Sequence, residues 1–203
     1  MVVVGILLAA GRGQRFDPSG ASNKLLAPLP SGAPVVLASA RTLLSVLPRV
    51  IAVVAPGAIA VASALRGAGC EVVVCEDASQ GMSASLKHAL RSALPEVQAW
   101  IVALGDMPHV QASTIGALHE RLLAGEQIVV PVHGGRRGNP VGFGASSLPL
   151  LLALEGDQGA RAIVRAGAAC TVDVNDAGIF HDIDTPSDLH DGTLPVGGQV
   201  NPS

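Results

Sequence analysis

The sequence predicts a three-layer α/β/α fold with a mainly parallel β-sheet and a small antiparallel insertion in its second half. Short runs rich in Val and Ile alternate along the chain with longer segments whose apolar residues recur at helical spacing. Each run is apolar throughout, as is typical of strands covered by helices on both faces, and the alternation favours right-handed parallel connections. A Gly- and Pro-rich stretch after residue 131 indicates an antiparallel ribbon.

The predicted elements follow one another in a regular order. We expect strands at 2–9, 49–55, 71–75, 99–104, 127–132 and 170–174. The apolar spacing, and the Gly or Pro at the ends of the segments, predict helices at 35–47, 58–69, 82–94 and 112–125, with shorter ones at 146–154 and 158–166. The ribbon is expected in "PVHGGRRGNPVGFG", which begins at residue 131.

Length and cysteine usage limit the organisation of the chain. Its 203 residues, 49% of them hydrophobic, are enough for one sizeable core, so we expect one domain over 1–191 and a flexible C-terminal tail over 192–203. The three cysteines are odd in number and show no paired CxxC spacing. Cys70 and Cys75 flank a valine run, which suggests buried free thiols, and a reducing cytoplasm as the location.

Charge and composition exclude two classes of partner. A net charge of −3, with 13 Lys and Arg against 16 Asp and Glu, provides no basic field that could follow a nucleic-acid backbone. Only 2% of the residues are aromatic, so stacking on bases is also disfavoured. No apolar stretch approaches the roughly 20 residues that a membrane span requires. We therefore expect small-molecule ligands, with neither nucleic acid nor a membrane as a partner.

The first predicted strand runs into the loop "LLAAGRGQRF", residues 7–16. In open α/β sheets, ligands bind beyond the carboxyl ends of the strands, where this loop lies. Gly11 and Gly13 permit positive φ and close backbone approach to an anion, while Arg12 and Arg15 supply positive charge to phosphate oxygens. The loop matches neither a Walker A motif nor a dinucleotide fingerprint. It predicts a triphosphate site of another kind, although Gly-rich turns without a ligand are also common after strands.

Lys24, in "SNKLL", has two interpretations. It follows the segment "DPSGAS", which we predict to be flexible, so its ammonium group could move over the phosphates held by the loop. Alternatively, Lys24 is a surface lysine whose stem packs along Leu25 and Leu26. The sequence alone leaves both interpretations open.

Acidic residues in two segments are candidates for a metal site. Asp106, in "LGDMPHV", follows the fourth predicted strand, where a carboxylate can bind Mg²⁺ or cap a turn. "HDIDTPSDL" offers Asp182 and Asp184, which share one face if this segment is a strand. The same segment also has the pattern of a helix start, with Thr185 as N-cap and Asp188 three residues later. That pattern explains 185–188 and leaves Asp184 free.

Other polar residues have both a functional and a purely structural interpretation. Ser83 and Ser85 stand where a helix begins, and can bind a base or phosphate or merely cap the helix. Arg136 and Arg137 suit an anionic acceptor, or belong to an exposed hairpin. The six histidines show neither metal-ligand spacing nor a paired Ser or Cys nucleophile, so we expect them to be solvated or on helix surfaces.

Taken together, the motifs resemble those of the nucleotidyltransferases with a glycosyltransferase-A-like, Rossmann-like α/β fold, and most closely the molybdenum cofactor cytidylyltransferase branch. After "LLAAGRGQRF…NKLL", the family's order continues with "QGMSASLKHAL", "LGDMPHV", "RRGNPVGF", "GDQGAR" and "DIDTPSDL". Related guanylyltransferases usually have Leu-Ala-Gly-Gly at the loop, whereas this chain has Ala10 before Gly11, as cytidylyltransferases do. The resemblance therefore favours CTP over GTP. The insert "DPSGAS" is longer than in the shortest family pattern.

The resemblance also implies roles for individual residues. It implies that Asp106 and Asp184 bind Mg²⁺ and that Arg15 and Lys24 act on the triphosphate. The implied nucleotide-binding residues, with the cytosine pocket among them, are Leu8, Ala9, Ala10, Gly11, Arg12, Gly13, Gln80, Gly81 and Ser85. The implied acceptor-binding residues are Arg136, Arg137 and Asn139.

The function that follows is that of a Mg²⁺-dependent nucleotidyltransferase. The phosphate of an acceptor attacks the α-phosphorus of CTP, CMP is transferred, and pyrophosphate leaves. The resemblance implies molybdopterin cofactor as the acceptor and a molybdoenzyme as a candidate partner. Two alternatives stay open: a sugar- or polyol-phosphate nucleotidyltransferase, and a non-catalytic carrier or chaperone of the molybdenum cofactor.

Overall fold

The computed structural model describes residues 2–11, 13, 15–19, 22–93, 97–156, 160–166 and 168–190. The strands of this part are β1 (Val3–Ala9), β2 (Val50–Val54), β3 (Glu71–Val74), β4 (Ala99–Leu104), β5 (Ile128–His133), β6 (Arg136–Arg137), β7 (Val141–Gly144) and β8 (Cys170–Asp173). The expected tail at 192–203 lies outside the described residues.

Six α-helices accompany these strands in the described part of the chain. They are α1 (Val35–Leu44), α2 (Ile59–Gly67), α3 (Met82–Ala93), α4 (Ala112–Leu123), α5 (Leu148–Leu152) and α6 (Arg161–Ala166). Short 3₁₀ turns are found at Lys24–Leu26, Ala78–Gln80, Ala145–Ser147, Ala177–Phe180 and Pro186–Leu189. No helix of the described part is both long and apolar enough to cross a membrane.

The strands form one sheet in the order β3-β2-β1-β4-β7-β5-β6, with β8 beside β5. β1, β2, β3 and β4 pair in parallel, and so do β5 and β8. β7 is inserted between β4 and β5 and is antiparallel to both, while β6 is antiparallel to β5. The structure thus confirms a mainly parallel α/β sheet with a small antiparallel insertion.

Each face of the sheet carries its own apolar core. Neighbouring residues of a strand point to opposite faces, so Leu7 packs in the core under α1, α2 and α4. Ile6 belongs to the core under α3, α5 and α6, where Trp100 and Phe143 are fully buried. Because both faces are covered, the central strands read as unbroken apolar runs in the sequence.

The sheet has a switch point between β1 and β4. These strands are distant in sequence but adjacent and parallel, with Leu8 opposite Leu104. β2 and β3 lie on one side of β1, and all later strands lie beyond β4. The chain therefore leaves β1 and β4 at the same edge, which is where open α/β sheets bind ligands.

The predicted boundaries differ from the structure mainly in the second half. The helix expected over 146–154 is a 3₁₀ turn followed by α5, which has five residues. Pro149 lies in the first turn of α5, where a missing N–H is tolerated. The segment 182–184 is not a strand. Cys70 and Cys75 are buried free thiols as expected, and burial raises the pKa of Cys70 to about 11.

Candidate active site

The loop after β1 turns sharply at Gly13. Its φ of 61° is in the left-handed region, and its carbonyl accepts from the N–H groups of Phe16 (2.9 Å) and Asp17 (3.2 Å). A Cβ at Gly13 would lie 3.3 Å from Cγ of Lys24, so the position also needs to be small. Gly11 has no positive φ and open space around it, so only Gly13 uses the freedom predicted for both. Arg12 lies outside the described residues.

Two short side chains fix the segment that leads to Lys24. The carboxylate of Asp17 accepts from the Ser19 N–H (2.8 Å) and the Ser22 N–H (2.7 Å). A bond from the Ser19 hydroxyl, and then these two backbone bonds, hold the pKa of Asp17 below its ordinary value. Asn23 caps the following 3₁₀ turn by accepting from the Leu25 N–H at 3.0 Å. Where the structure describes it, the segment predicted to be flexible is therefore a hydrogen-bonded turn.

Lys24 is buried, and its ammonium group contacts two carboxylates. Only 8% of its side chain is exposed, so the interpretation as a surface lysine is wrong. Nζ lies 2.6 Å from Oδ2 of Asp106 and 3.2 Å from Oδ1 of Asp184. Burial alone would lower the pKa of Lys24, but the two carboxylates more than offset this, and the pKa is raised. The two carboxylates therefore favour the protonated form of Lys24.

Asp106 is positioned by the close approach of β1 and β4. The Gly105 N–H donates to the Leu8 carbonyl at 2.8 Å, and a Cβ at Gly105 would lie 3.1 Å from that oxygen. The buried Ser39 hydroxyl donates to the Gly105 carbonyl at 3.1 Å. These contacts fix the turn after β4, and Asp106 follows it directly.

Asp184 is brought to Asp106 by a backbone bond between distant segments. The Ile183 N–H donates to the Asp106 carbonyl at 2.8 Å. Asp188 then accepts from the N–H groups of Asp184 (2.9 Å) and Thr185 (2.6 Å), completing the predicted capping box. The capping interpretation of 185–188 is thus confirmed, and the Asp184 carboxylate is left for the site.

Arg15 adds a second cation. Its Nη1 pairs with Oδ2 of Asp184, while 79% of its side chain is exposed. An exposed ion pair of this kind contributes little to stability. Arg15 is therefore an exposed partner of Asp184, whereas Lys24 is a buried one.

The carboxylates of Asp106 and Asp184 fit a hard divalent cation. Both are partly exposed, at 21% and 28% of their side chains, and both reach one ammonium group. Among the described residues there is no group of three or more His, Cys, Asp or Glu suited to a metal. Mg²⁺ commonly takes one or two carboxylates and completes its shell with water and phosphate oxygens. The donor set therefore suits such an ion together with a bound phosphate.

The predicted acceptor residues Arg136, Arg137 and Asn139 line one cavity of about 310 Å³. Leu104 and Met107, which flank Asp106 in sequence, belong to the same lining. These two residues bring the cavity near the turn that carries Asp106, while Asp106 and Asp184 themselves are not in its lining. It is at the lower end of the size range of small-molecule sites.

The cavity contains residues that the sequence did not indicate. Arg165 and Phe180 also line it. So does Asp182, one of the two acidic candidates of "HDIDTPSDL", whereas the carboxylates that contact Lys24 are those of Asp106 and Asp184. The Arg136 guanidinium lies 4.4 Å from the centroid of the Phe180 ring, a cation–π contact. Single residues like these belong to no motif, so no signal in one sequence would have revealed them.

Asp176 positions the turn that carries Phe180. This aspartate is 1% exposed and accepts from the Gln111 N–H (2.9 Å), the Thr114 hydroxyl (2.6 Å) and the Gly178 N–H (2.9 Å). It thereby ties the Ala177–Phe180 turn to the start of α4. A buried carboxylate with three donors is a structural element here.

The expected base-binding residues are less closely tied to the site. Gly81 has a φ of 115° just before α3, which explains the glycine. Ser85 is buried, and Gln80 donates to Asp77 at 2.9 Å. Gln80 lines a second cavity of about 310 Å³, which it shares with Ser83, Lys87 and Arg91 and not with Lys24 or Asp106. The cytosine pocket therefore stays a prediction.

One histidine departs from the expectation of solvated rings. His109 is partly buried, and its Nε2 has no hydrogen-bond partner within the described part of the chain. Burial, and then the neighbouring His181, lowers the pKa of His109. The ring is thus held in its neutral form.

The fold and the site define a class, the nucleotidyltransferases of the glycosyltransferase-A-like fold. The chain belongs to the family with a MobA-like NTP transferase domain, whose model matches residues 5–171. A curated relative, the purine catabolism protein PucB of Bacillus subtilis (strain 168), is 30% identical over 119 residues. The match spans 57% of this chain and 57% of PucB, so the chain aligns with little more than half of that relative.

Solved structures resemble the chain over nearly its whole length. Rv0371c from Mycobacterium tuberculosis H37Rv is 29% identical with a TM-score of 0.80, covering 93% of this chain and 95% of that one. Its complex with manganese is 28% identical with a TM-score of 0.77, covering 93% and 96%. A nucleotidyl transferase from Methanothermobacter thermautotroptrophicus is 25% identical with a TM-score of 0.78, covering 92% and 94%.

Proposed function

We propose that the protein transfers CMP from CTP to the phosphate of a molybdopterin-type acceptor and releases pyrophosphate. The observation that carries this proposal is the contact of Lys24 with both Asp106 and Asp184. Three segments distant in sequence thereby meet at the switch point of the sheet, with Arg15 beside them. Such a cluster of oxygen ligands and cations suits the binding of a metal-bound triphosphate.

The reaction needs no nucleophile from the protein. An oxygen of the acceptor phosphate, already ionised at neutral pH, forms a bond to the α-phosphorus of CTP. The bond between that phosphorus and the oxygen bridging to the β-phosphorus breaks, and the electron pair leaves with pyrophosphate. Mg²⁺ held by Asp106 and Asp184 would neutralise charge on the phosphate oxygens.

The chain's own residues then act by positioning and by charge. We assign Lys24 and Arg15 to the triphosphate, together with Arg12 and the backbone of the loop from Leu8 to Gly13. Gly13 supports the assignment because its left-handed turn brings the loop against the Lys24 stem. Preorganised cations around a transferring phosphoryl group are among the larger contributions to catalysis of this kind.

The choice of CTP depends on the resemblance of the loop to that of cytidylyltransferases. Ala10 stands where related guanylyltransferases have glycine, and we assign Gln80, Gly81 and Ser85 to the cytosine. The divalent ion has independent support, since the structurally similar Rv0371c has been crystallised in complex with manganese. We assign Mg²⁺ as the physiological ion.

We assign the acceptor to the cavity lined by Arg136, Arg137 and Asn139. Arg165 brings the arginines in this lining to three, against the single carboxylate of Asp182. An excess of cationic side chains in this cavity suits a phosphorylated acceptor. The same cavity would suit a sugar or polyol phosphate, so acceptor identity is what the experiment must decide.

The test measures pyrophosphate released by purified protein with Mg²⁺, each of CTP, GTP, ATP and UTP, and either molybdopterin or a panel of sugar and polyol phosphates. We expect release only with CTP and molybdopterin, with the cytosine dinucleotide as product. Preference for another nucleotide would overturn the donor, and turnover of a sugar phosphate would overturn the acceptor. Binding of CTP with no release under any condition would show a carrier.

A further inference from the structure

Lys24 holds the two candidate metal ligands as a bound cation would. Its ammonium group uses Oδ2 of Asp106 and Oδ1 of Asp184, so each carboxylate gives one oxygen to it. The side chain is 8% exposed and its turn is capped by Asn23. Gly13 packs closely against the Lys24 side chain, since a Cβ at Gly13 would lie 3.3 Å from Cγ of Lys24. The ammonium group is thus confined between the carboxylates.

A divalent cation would bind the same two carboxylates. Mg²⁺ binds carboxylate oxygens at about 2.0–2.1 Å, shorter than the 2.6 Å and 3.2 Å that the ammonium group makes. An ion bound to both carboxylates would therefore lie close to Nζ unless the lysine withdrew. Two cations at such a separation in a partly buried site repel each other strongly.

We propose that Lys24 competes with the divalent cation for Asp106 and Asp184, so that the protein binds the metal well only as a metal–nucleotide complex. This inference rests on the proposed function only in taking the two aspartates as metal ligands. The phosphates of the nucleotide give the ammonium group another partner and release the carboxylates to the metal. By thermodynamic linkage, each ligand then favours the binding of the other.

Arg15 takes part in the competition to a smaller degree. It pairs with the other oxygen of Asp184, Oδ2, and does not contact Asp106. Because 79% of its side chain is exposed, water can replace its contact at little cost. The buried lysine, which touches both carboxylates, is the main competitor.

The test measures Mn²⁺ binding to the full chain without nucleotide, by titration calorimetry and by the electron paramagnetic resonance signal of free Mn²⁺. The chain has two lysines, Lys24 and Lys87. Lys87→Met removes the same charge from a lysine that donates to the Leu154 carbonyl and not to Asp106 or Asp184, and is the matched control for metal binding. We expect Lys24→Met to bind Mn²⁺ at least about tenfold more tightly than wild type, Lys87→Met to be unchanged, and Arg15→Met to lie between them.

In a second measurement, the same substitution should change the affinity in the opposite direction. Lys24→Met should bind the Mn²⁺ complex of CTP more weakly than wild type, although it binds Mn²⁺ alone more tightly. If Lys24→Met folds poorly, Lys24→Gln, which keeps a hydrogen-bond donor without the charge, is used with the same expectation. Mn²⁺ should then raise the thermal midpoint of the variant more than that of wild type.

The outcomes separate the two proposals. Equal, weaker or undetectable Mn²⁺ binding by both Lys24 variants would overturn the competition, and so would an equal gain in Lys87→Met. These titrations contain no nucleotide. The competition could therefore hold while CTP turnover fails, in which case only the proposed function is overturned.

Discussion

The two halves of the sheet differ in what they bring to the site. β3, β2, β1 and β4 form a wholly parallel half, and β1, β2 and β4 are buried along almost their whole length. The half made of β7, β5, β6 and β8 mixes directions, and both residues of β6 are exposed arginines. Lys24 and Asp106 follow strands of the first half, whereas the arginine-lined cavity belongs to the second.

This difference suggests a division between the two halves, in which each half serves a different substrate. The buried parallel half fixes the groups that meet a triphosphate, and the short strands and turns of the other half surround the acceptor. Asp184 crosses the division, because it follows β8 in sequence yet contacts Lys24. Substitutions in the first half should therefore abolish turnover with any acceptor, and those in the second should change the use of one acceptor.

The largest effect is expected from Asp106→Asn. It removes one of two carboxylates for the metal while keeping size and shape, and kcat/KM should fall about 1000-fold, or about 4 kcal/mol. The measurement is pyrophosphate release at saturating acceptor, with Asp173→Asn on the exposed end of β8 as control. An Asp106→Asn variant that keeps a tenth of the wild-type kcat/KM would contradict the assignment of the metal ligand to the parallel half.

Lys24→Met should reduce kcat/KM by about 100-fold, or about 2.7 kcal/mol, because the triphosphate loses a preorganised cation. Arg121→Met, on the exposed surface of α4, should stay within about twofold of wild type. Circular dichroism checks that both variants fold, since Lys24 is buried. A Lys24 variant within about threefold of the wild-type rate would contradict its role in the first half.

Arg137→Met should raise KM for the acceptor about tenfold, or about 1.4 kcal/mol, and leave KM for CTP unchanged. Arg136→Met should behave similarly, since Arg136 lies over the Phe180 ring in the same cavity. Arg121→Met on the exposed surface of α4 is the control. If KM for CTP rose instead, the second half would also serve the nucleotide and the division would fail.

The smallest effect concerns pH and lies at the border between the halves. The pKa of His109 is lowered by burial and then by His181. The unfolded chain takes up the proton first, near pH 6.5, so the stability that neutral His109 contributes is present above that pH and lost as the pH falls below it. Urea unfolding at pH 7.5 and 5.5 should show a smaller acid loss in His109→Gln than in wild type or His119→Gln. An unchanged loss would place the acid sensitivity elsewhere.

The sequence was sufficient to predict the parallel half of the sheet because every strand and helix there follows the same pattern of burial. Strands such as β1 and β4 are covered on both faces, so their sequences are unbroken apolar runs that are easily recognised. Once the strands are located, the residues that follow them can be assigned to one edge of the sheet. The meeting of Lys24 with Asp106 and Asp184 followed from those strand ends and from the resemblance of the motifs.

The second half was less predictable, because its contacts depend on single residues. No pattern shows that Asp182 lines a cavity with Arg165 while Asp184, two residues later, reaches Lys24. Between these two aspartates, the Ile183 N–H donates to the Asp106 carbonyl, which is a tertiary contact without a local signal. The burial of Lys24 was likewise undecided, since the same residues also suit a surface lysine.

The hydrogen bond from Ile183 to Asp106 joins a segment near the end of the chain to one in its middle, so the site can be completed only late in synthesis. The ribosome releases the first seven strands well before the stretch that completes the pair of carboxylates. A nascent chain thus contains seven of the eight strands before its second carboxylate is made. Nonsense mutations between the codons for Asp173 and Asp184 should yield products that contain every strand and lack the Asp184 carboxylate.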